Sequence, residues 1–116
     1  MGTGRRAALM RLCRFDELAD GAARGFDPRG AGEDTVFVLK RGAILRAYRN
    51  LCPHQLRPLE YRRHQFLTRD GGHIVCHAHN ALFDPDSGVC VLGACLGQAL
   101  QAVWVEVMEG WVVLRE

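Results

Sequence analysis

Lysine is nearly missing from this chain: Lys40 stands alone beside fourteen arginines. Such an imbalance reads as genome composition rather than as a binding site. A large charge of one sign is missing too. The formal net charge of +2 is too small for the electrostatic footprint of a nucleic-acid binder. No apolar run reaches the ~20 residues of a membrane-spanning helix. Ala7 to Met10 follows Arg5 and Arg6 but is closed by Arg11, which makes it too short for the apolar part of a secretory signal. There is no repeat and no low-complexity tract. A charged fraction of 24% against 48% hydrophobic residues excludes an intrinsically disordered chain. These absences lead to the expectation of a cytoplasmic protein with neither nucleic acid nor membrane as partner. The 116 residues leave room for one domain, 1–116, with a modest core.

A convincing helical period is also lacking. Short strand-like runs dominate. Ala8 to Arg14 and Ala22 to Phe26 read as strands, separated by a turn or single helical turn over Asp16 to Gly21. Thr35 to Lys40 and Ala43 to Tyr48 form a hairpin across Arg41-Gly42. Val103 to Met108 and Trp111 to Arg115 form another across Glu109-Gly110. In its first strand Val103, Val105 and Val107 alternate with Trp104, Glu106 and Met108, the pattern of one buried face. His73 to Cys76 and Ala81 to Phe83 are two shorter strands, followed by a turn over Asp84 to Gly88. Pro58 to Gln65 is the one stretch where a short helix is expected. The sum is all-β, with antiparallel strands in small sheets.

What is present in quantity is chemistry at two short boxes. The five cysteines, 13, 52, 76, 90 and 95, are an odd number without a secretory signal. That argues against a disulfide framework and for metal ligation. Cys52-Pro53-His54 and Cys76-His77-Ala78-His79 each offer one thiolate and one imidazole on a tight loop. Two Cys and two His divided in this way match a [2Fe–2S] centre in which two imidazoles replace two thiolates on one iron. Each iron is tetrahedral, and two bridging sulfides leave two positions per iron for the protein. A box of each type gives one ligand to each iron: Cys52 and Cys76 to one, His54 and His79 to the other. Zinc would accept the same donors, but structural zinc favours Cys-Cys and His-His pairs over mixed boxes. His77 competes poorly with His79 because it adjoins Cys76. His64 and His73 read as surface residues, Cys13 as a small apolar core residue, and Trp104 and Trp111 as sheet packing. Arg49, Arg57, Arg62 and Arg63 gather near the first box, either as a solvated face or to steer an acidic partner.

The flanks of the boxes resemble the Rieske [2Fe–2S] family, in particular its ferredoxin-type members. The matching residues are Asn50-Leu51-Cys52-Pro53-His54, then Leu82-Phe83-Asp84, Ser87-Gly88-Val89-Cys90 and Gly93-Ala94-Cys95, with Leu100 and the closing Gly110 to Leu114. The resemblance implies a Rieske fold: small sheets or a barrel, with an inserted cluster-binding subdomain at about 50–95 that carries two loops. It implies one [2Fe–2S] cluster per chain, held by Cys52, His54, Cys76 and His79, with both histidines at the surface. It further implies an electron carrier rather than an enzyme, a monomer when free, serving aromatic-ring-hydroxylating systems. The partners would be a flavin-dependent reductase and a terminal oxygenase. Two other functions are weighed: a Rieske-type small subunit of a larger oxidoreductase, and a non-redox zinc-binding or interaction module. A complete oxygenase is not expected at this length.

The sequence departs from the family in places. Twenty-one residues separate His54 from Cys76, a few more than usual, and the excess is expected in a loop near Arg62 to Asp70, away from the cluster. Asn80 replaces a usual Gly, and Ala94 a frequent Pro. High-potential relatives carry a further Cys in each box, joined as a disulfide; here those positions are Arg57 and Ala78. The same relatives direct a Ser and a Tyr hydroxyl at cluster sulfurs, where this chain has Ala81 and Phe83. Donors to sulfur stabilise the reduced cluster. Without them the expected potential lies near the lower end of the Rieske range of about −150 to +300 mV. The resemblance places Cys90 and Cys95 near the cluster as structural residues.

Overall fold

β-Branched and aromatic residues set the long strands, and Gly42 and Gly110, both at positive φ, close their hairpins. The computed structural model describes residues 9–53 and 56–115. Its strands are β1 (Leu9–Arg14), β2 (Ala23–Phe26), β3 (Val36–Arg41), β4 (Ile44–Arg49), β5 (Ile74–Cys76), β6 (Ala81–Phe83), β7 (Cys90–Leu92), β8 (Ala102–Met108) and β9 (Trp111–Arg115). A single 3₁₀ turn, Phe15–Glu17, is the only helical element among the described residues. The larger sheet has the order β1-β9-β8-β4-β3-β2, and the smaller has β5-β6-β7. All pairings are antiparallel. The all-β expectation holds, and so do both hairpins. At the second one, Met108 pairs with Trp111 across Glu109 and Gly110, whose φ values of 53° and 80° suit a type I′ turn.

β3 separates two cores. Successive side chains of a strand face opposite ways, and here both ways are inward: Val36, Phe37 and Val38 are fully buried. Val36 and Val38 pack with Cys13, Ala47, Val112 and Leu114 in the lower core. Phe37 and Leu39 pack with Tyr48, Leu59, Phe66 and Phe83 in the upper one. Each such side chain contributes roughly 1.5–3 kcal/mol by burial. Tyr48 fastens the small sheet to the large one. Its hydroxyl donates to the Pro85 carbonyl at 2.7 Å, and its ring occupies the space that a Cβ on Gly88 would need, 2.7 Å from Cε1.

Three expectations change. No helix forms over Pro58 to Gln65. Long-range bonds hold the backbone there instead: the Leu59 N–H donates to Asn50 Oδ1, and the Leu59 carbonyl accepts from the His77 N–H. His64, at φ 71°, is incompatible with a right-handed helix. The stretch Arg62 to Asp70 is more than a loop. Phe66 is fully buried, stacks on Phe37 at 4.3 Å between centroids, and accepts from the Val75 N–H through its carbonyl, so it lines the outer edge of β5. In β8, Val103 and Val105 join the lower core, but Val107 is 43% exposed, so the buried face fades toward the turn. Cys13 is buried as expected. Trp104 and Trp111 pack on the sheet beneath Arg115 and Arg11 respectively.

Candidate metal centre

The first box leaves β4 through Asn50, the one buried polar residue among those described. A buried amide must be satisfied, and this one is. Its Nδ2 donates to the Asp34 carbonyl at 2.9 Å and to Glu60 Oε1 at 2.8 Å, while Oδ1 accepts from the Leu59 N–H at 2.9 Å. Asn50 therefore joins the chain before the box to the chain after it. Two short backbone bonds close the loop: the Cys52 N–H donates to the Arg57 carbonyl, and the Leu56 N–H to the Cys52 carbonyl. Leu56 takes φ 52° to permit this. The Cys52 side chain is fully buried. His54 and Gln55 lie outside the described residues. Of the nearby arginines, Arg57, Arg62 and Arg63 are all exposed, and Arg63 grips Asp34 through Nε at 2.9 Å and a second nitrogen at 3.1 Å.

The second box is a hairpin loop. Cys76 ends β5 and pairs with Ala81, the first residue of β6. The His79 N–H donates to the Cys76 carbonyl at 3.3 Å, and Asn80 adopts φ 54°, the left-handed conformation that asparagine accepts in place of glycine. His77 turns aside, with Nε2 3.2 Å from the Gln65 carbonyl. A third segment, from β7 to Cys95, lies against this hairpin. Gly93, at φ 112°, comes so close that a Cβ would sit 2.9 Å from Ala81 Cα. Neither β7 nor this contact is legible locally, because a strand of three residues carries no period.

The sulfurs of Cys52 and Cys76 and a ring nitrogen of His79 all lie within 4.8 Å of one another. His79 Nδ1 is 4.0 Å from Cys76 Sγ. Both cysteines are fully buried and His79 is half-buried. Burial pushes the Cys76 thiol up, and the neighbouring Cys52 sulfur adds to the shift. Two adjacent buried thiolates need a cation, and metal ligation supplies it by displacing the protons. The donor set therefore fits an iron–sulfur group. Cys95 lies behind Cys52. Burial foremost, then Cys90, then Cys52 push its thiol up to about 12. Of the four residues in the two boxes assigned to ligation, the structure brings three together.

Loops that converge thiols and imidazole at one end of a small all-β fold define an iron–sulfur domain of the electron-transfer class. The chain belongs to the Rieske family: the model of the Rieske [2Fe-2S] domain matches residues 8–109. The cofactor that goes with this domain is a [2Fe–2S] cluster. The chain is 35% identical over 77 residues to the ferredoxin component of the alkene monooxygenase system of Xanthobacter autotrophicus Py2. That match covers 66% of this chain and 57% of the relative. Among solved structures, it resembles the ferredoxin of carbazole 1,9a-dioxygenase from Nocardioides aromaticivorans IC177. The identity is 25%, 93% of this chain and 97% of the other are covered, and the TM-score is 0.72. The same fold recurs in the complex of reduced oxygenase and oxidised ferredoxin in carbazole 1,9a-dioxygenase, at 24% identity, 95% and 94% coverage and TM-score 0.73. Both of these ferredoxins are components of oxygenase systems. Among the described residues, no helix is long and apolar enough to cross a membrane.

Proposed function

We propose that this chain is a cytoplasmic one-electron carrier that takes electrons from a flavin-dependent reductase and delivers them to a terminal oxygenase. It acts as a monomer when free, as one Rieske domain over 1–116 whose cluster-binding part is about 50–95. Cys52 and Cys76 would hold one iron of the cluster, and His54 and His79 the other. The observation that carries this reading is the convergence of two fully buried thiols and a half-buried imidazole within 4.8 Å, in a chain of the Rieske family. When bound, a [2Fe–2S] group supplies reversible uptake of a single electron. Cys52 and Cys76 keep their side of the site dry, and the partly open His79 offers an edge for a partner. The oxygenase as partner is supported by the monooxygenase and dioxygenase systems to which the relatives belong.

Ala81 and Phe83 flank the second box as fully or almost fully buried apolar residues, so neither brings a hydroxyl to a sulfur. A low potential follows. Direct voltammetry of the purified red-brown protein is expected to give a one-electron wave near the bottom of the range of about −150 to +300 mV. A midpoint well above zero contradicts the low-potential reading. A colourless protein with stoichiometric zinc contradicts the carrier reading altogether.

A further inference from the structure

Two cysteines of the upper core belong to neither box. Cys90 opens β7, and Cys95 sits in the turn beyond it. Both are almost completely buried, at 1% and 0% exposure. Yet Val91 to Ala94 and Leu96 to Gln98 are all exposed, so the pair lies beneath one layer of a surface hairpin. The hairpin directs the two side chains at each other. The Cys90 N–H donates to the Gln98 carbonyl and the Gly97 N–H to the Cys90 carbonyl, while the Gln98 N–H turns back to the Cys95 carbonyl. The Cys95 S–H donates to Cys90 Sγ at 3.0 Å, and the Cys90 S–H to the Leu92 carbonyl at 3.3 Å. A disulfide holds its sulfurs at about 2.05 Å, so closure needs a movement of about 1 Å from the 3.0 Å seen here. Gly93 and Gly97, both at positive φ, bracket Cys95 and leave the turn free of side-chain hindrance at those positions.

We propose that Cys90 and Cys95 are a modification site, an oxidisable dithiol that hydrogen peroxide converts into an intrachain disulfide. One sulfur attacks the O–O bond, giving a sulfenic acid and one water. The second sulfur then displaces the oxygen from the first as a second water, and the S–S bond forms. Two thiols lose two protons and two electrons, and one peroxide becomes two waters. Cys52 and Cys76, when they ligate metal, take no part. The inference stands on the geometry of the pair and does not depend on the partners proposed above.

The experiment treats the cluster-loaded protein with hydrogen peroxide, quenches with catalase, unfolds it in excess N-ethylmaleimide, and weighs the intact chain. The untreated chain takes five adducts, one for each free cysteine. After peroxide, two adducts are expected to disappear and the underlying mass to fall by 2 Da, with both changes reversed by dithiothreitol before labelling. Cys90→Val and Cys95→Ser, tested separately so that one poorly folding variant does not decide the matter, are each expected to keep all their adducts. Retention of five adducts by the wild type overturns the proposal. So does irreversible gain of oxygen, or loss of two adducts in either variant, which would place the cross-link among the box cysteines.

Discussion

In the large sheet, β3 and β4 share six residue pairs and β8 and β9 share five; in the small sheet, β5 and β6 share three and β6 and β7 only two. Apart from Cys13, the lower core is made of aliphatic and aromatic side chains, most of them from strands long enough to bury them. The upper core mixes phenylalanines with four cysteines, and its loops depend on three hydrogen bonds of Asn50 and one of Tyr48. Ladders and burial therefore order one region, while the other relies on a few fixed points and on whatever the cysteines hold. A site of this kind keeps buried thiols close together, and their ionisation to thiolates is unfavourable until a cation compensates the charge.

The largest expected effect separates the regions outright. Removing the cluster, by chelation or by Cys76→Ser, should drop the local opening free energy of amides such as His77 and Ala81 to near zero, while amides of β3 and β9 stay protected. Hydrogen exchange measures this, and equal loss in both sheets would erase the distinction. A smaller effect, of the opposite kind, comes from Leu114→Ala. Leu114 is fully buried in the lower core, so the change should cost about 2–5 kcal/mol of global stability with the visible spectrum of the folded fraction unchanged. Denaturant unfolding checks it, and bleaching of the native protein would show that the two cores are not separate. The smallest effect sharpens the chemistry of the upper region alone. Phe83→Tyr places a hydroxyl where the related high-potential proteins have one. A donor worth about 1.4 kcal/mol more to the reduced cluster raises a one-electron potential by on the order of 60 mV. Voltammetry that finds no rise would show that this side chain does not reach a sulfur.

The same contrast explains what the sequence made legible. β3 and β4 announce themselves through β-branched residues and Gly42, and β8 and β9 through the alternation of β8 and through Gly110, because those elements are set locally. The two boxes are legible because metal chemistry restricts residue type and spacing. The segment Pro58 to Gln65 misleads for the reverse reason: its local pattern suggests a helix, but Asn50 and His77 capture the Leu59 backbone from far along the chain. Phe66 enters the upper core, and Cys95 meets Cys90, through tertiary contacts that no window of sequence contains. Asn50 was readable as part of a motif, but its three hydrogen bonds, which fasten the first box, were not.

In the proposed centre both boxes ligate one [2Fe–2S] cluster, two thiolates on one iron and two imidazoles on the other. Pulsed electron paramagnetic resonance of the reduced protein, produced with ¹⁵N-labelled histidine, tests it directly. Two strongly coupled imidazole nitrogens are expected in the wild type, with the loss of that pair in His79→Ala. No nitrogen coupling, or a wild-type pair that survives in His79→Ala, would contradict it.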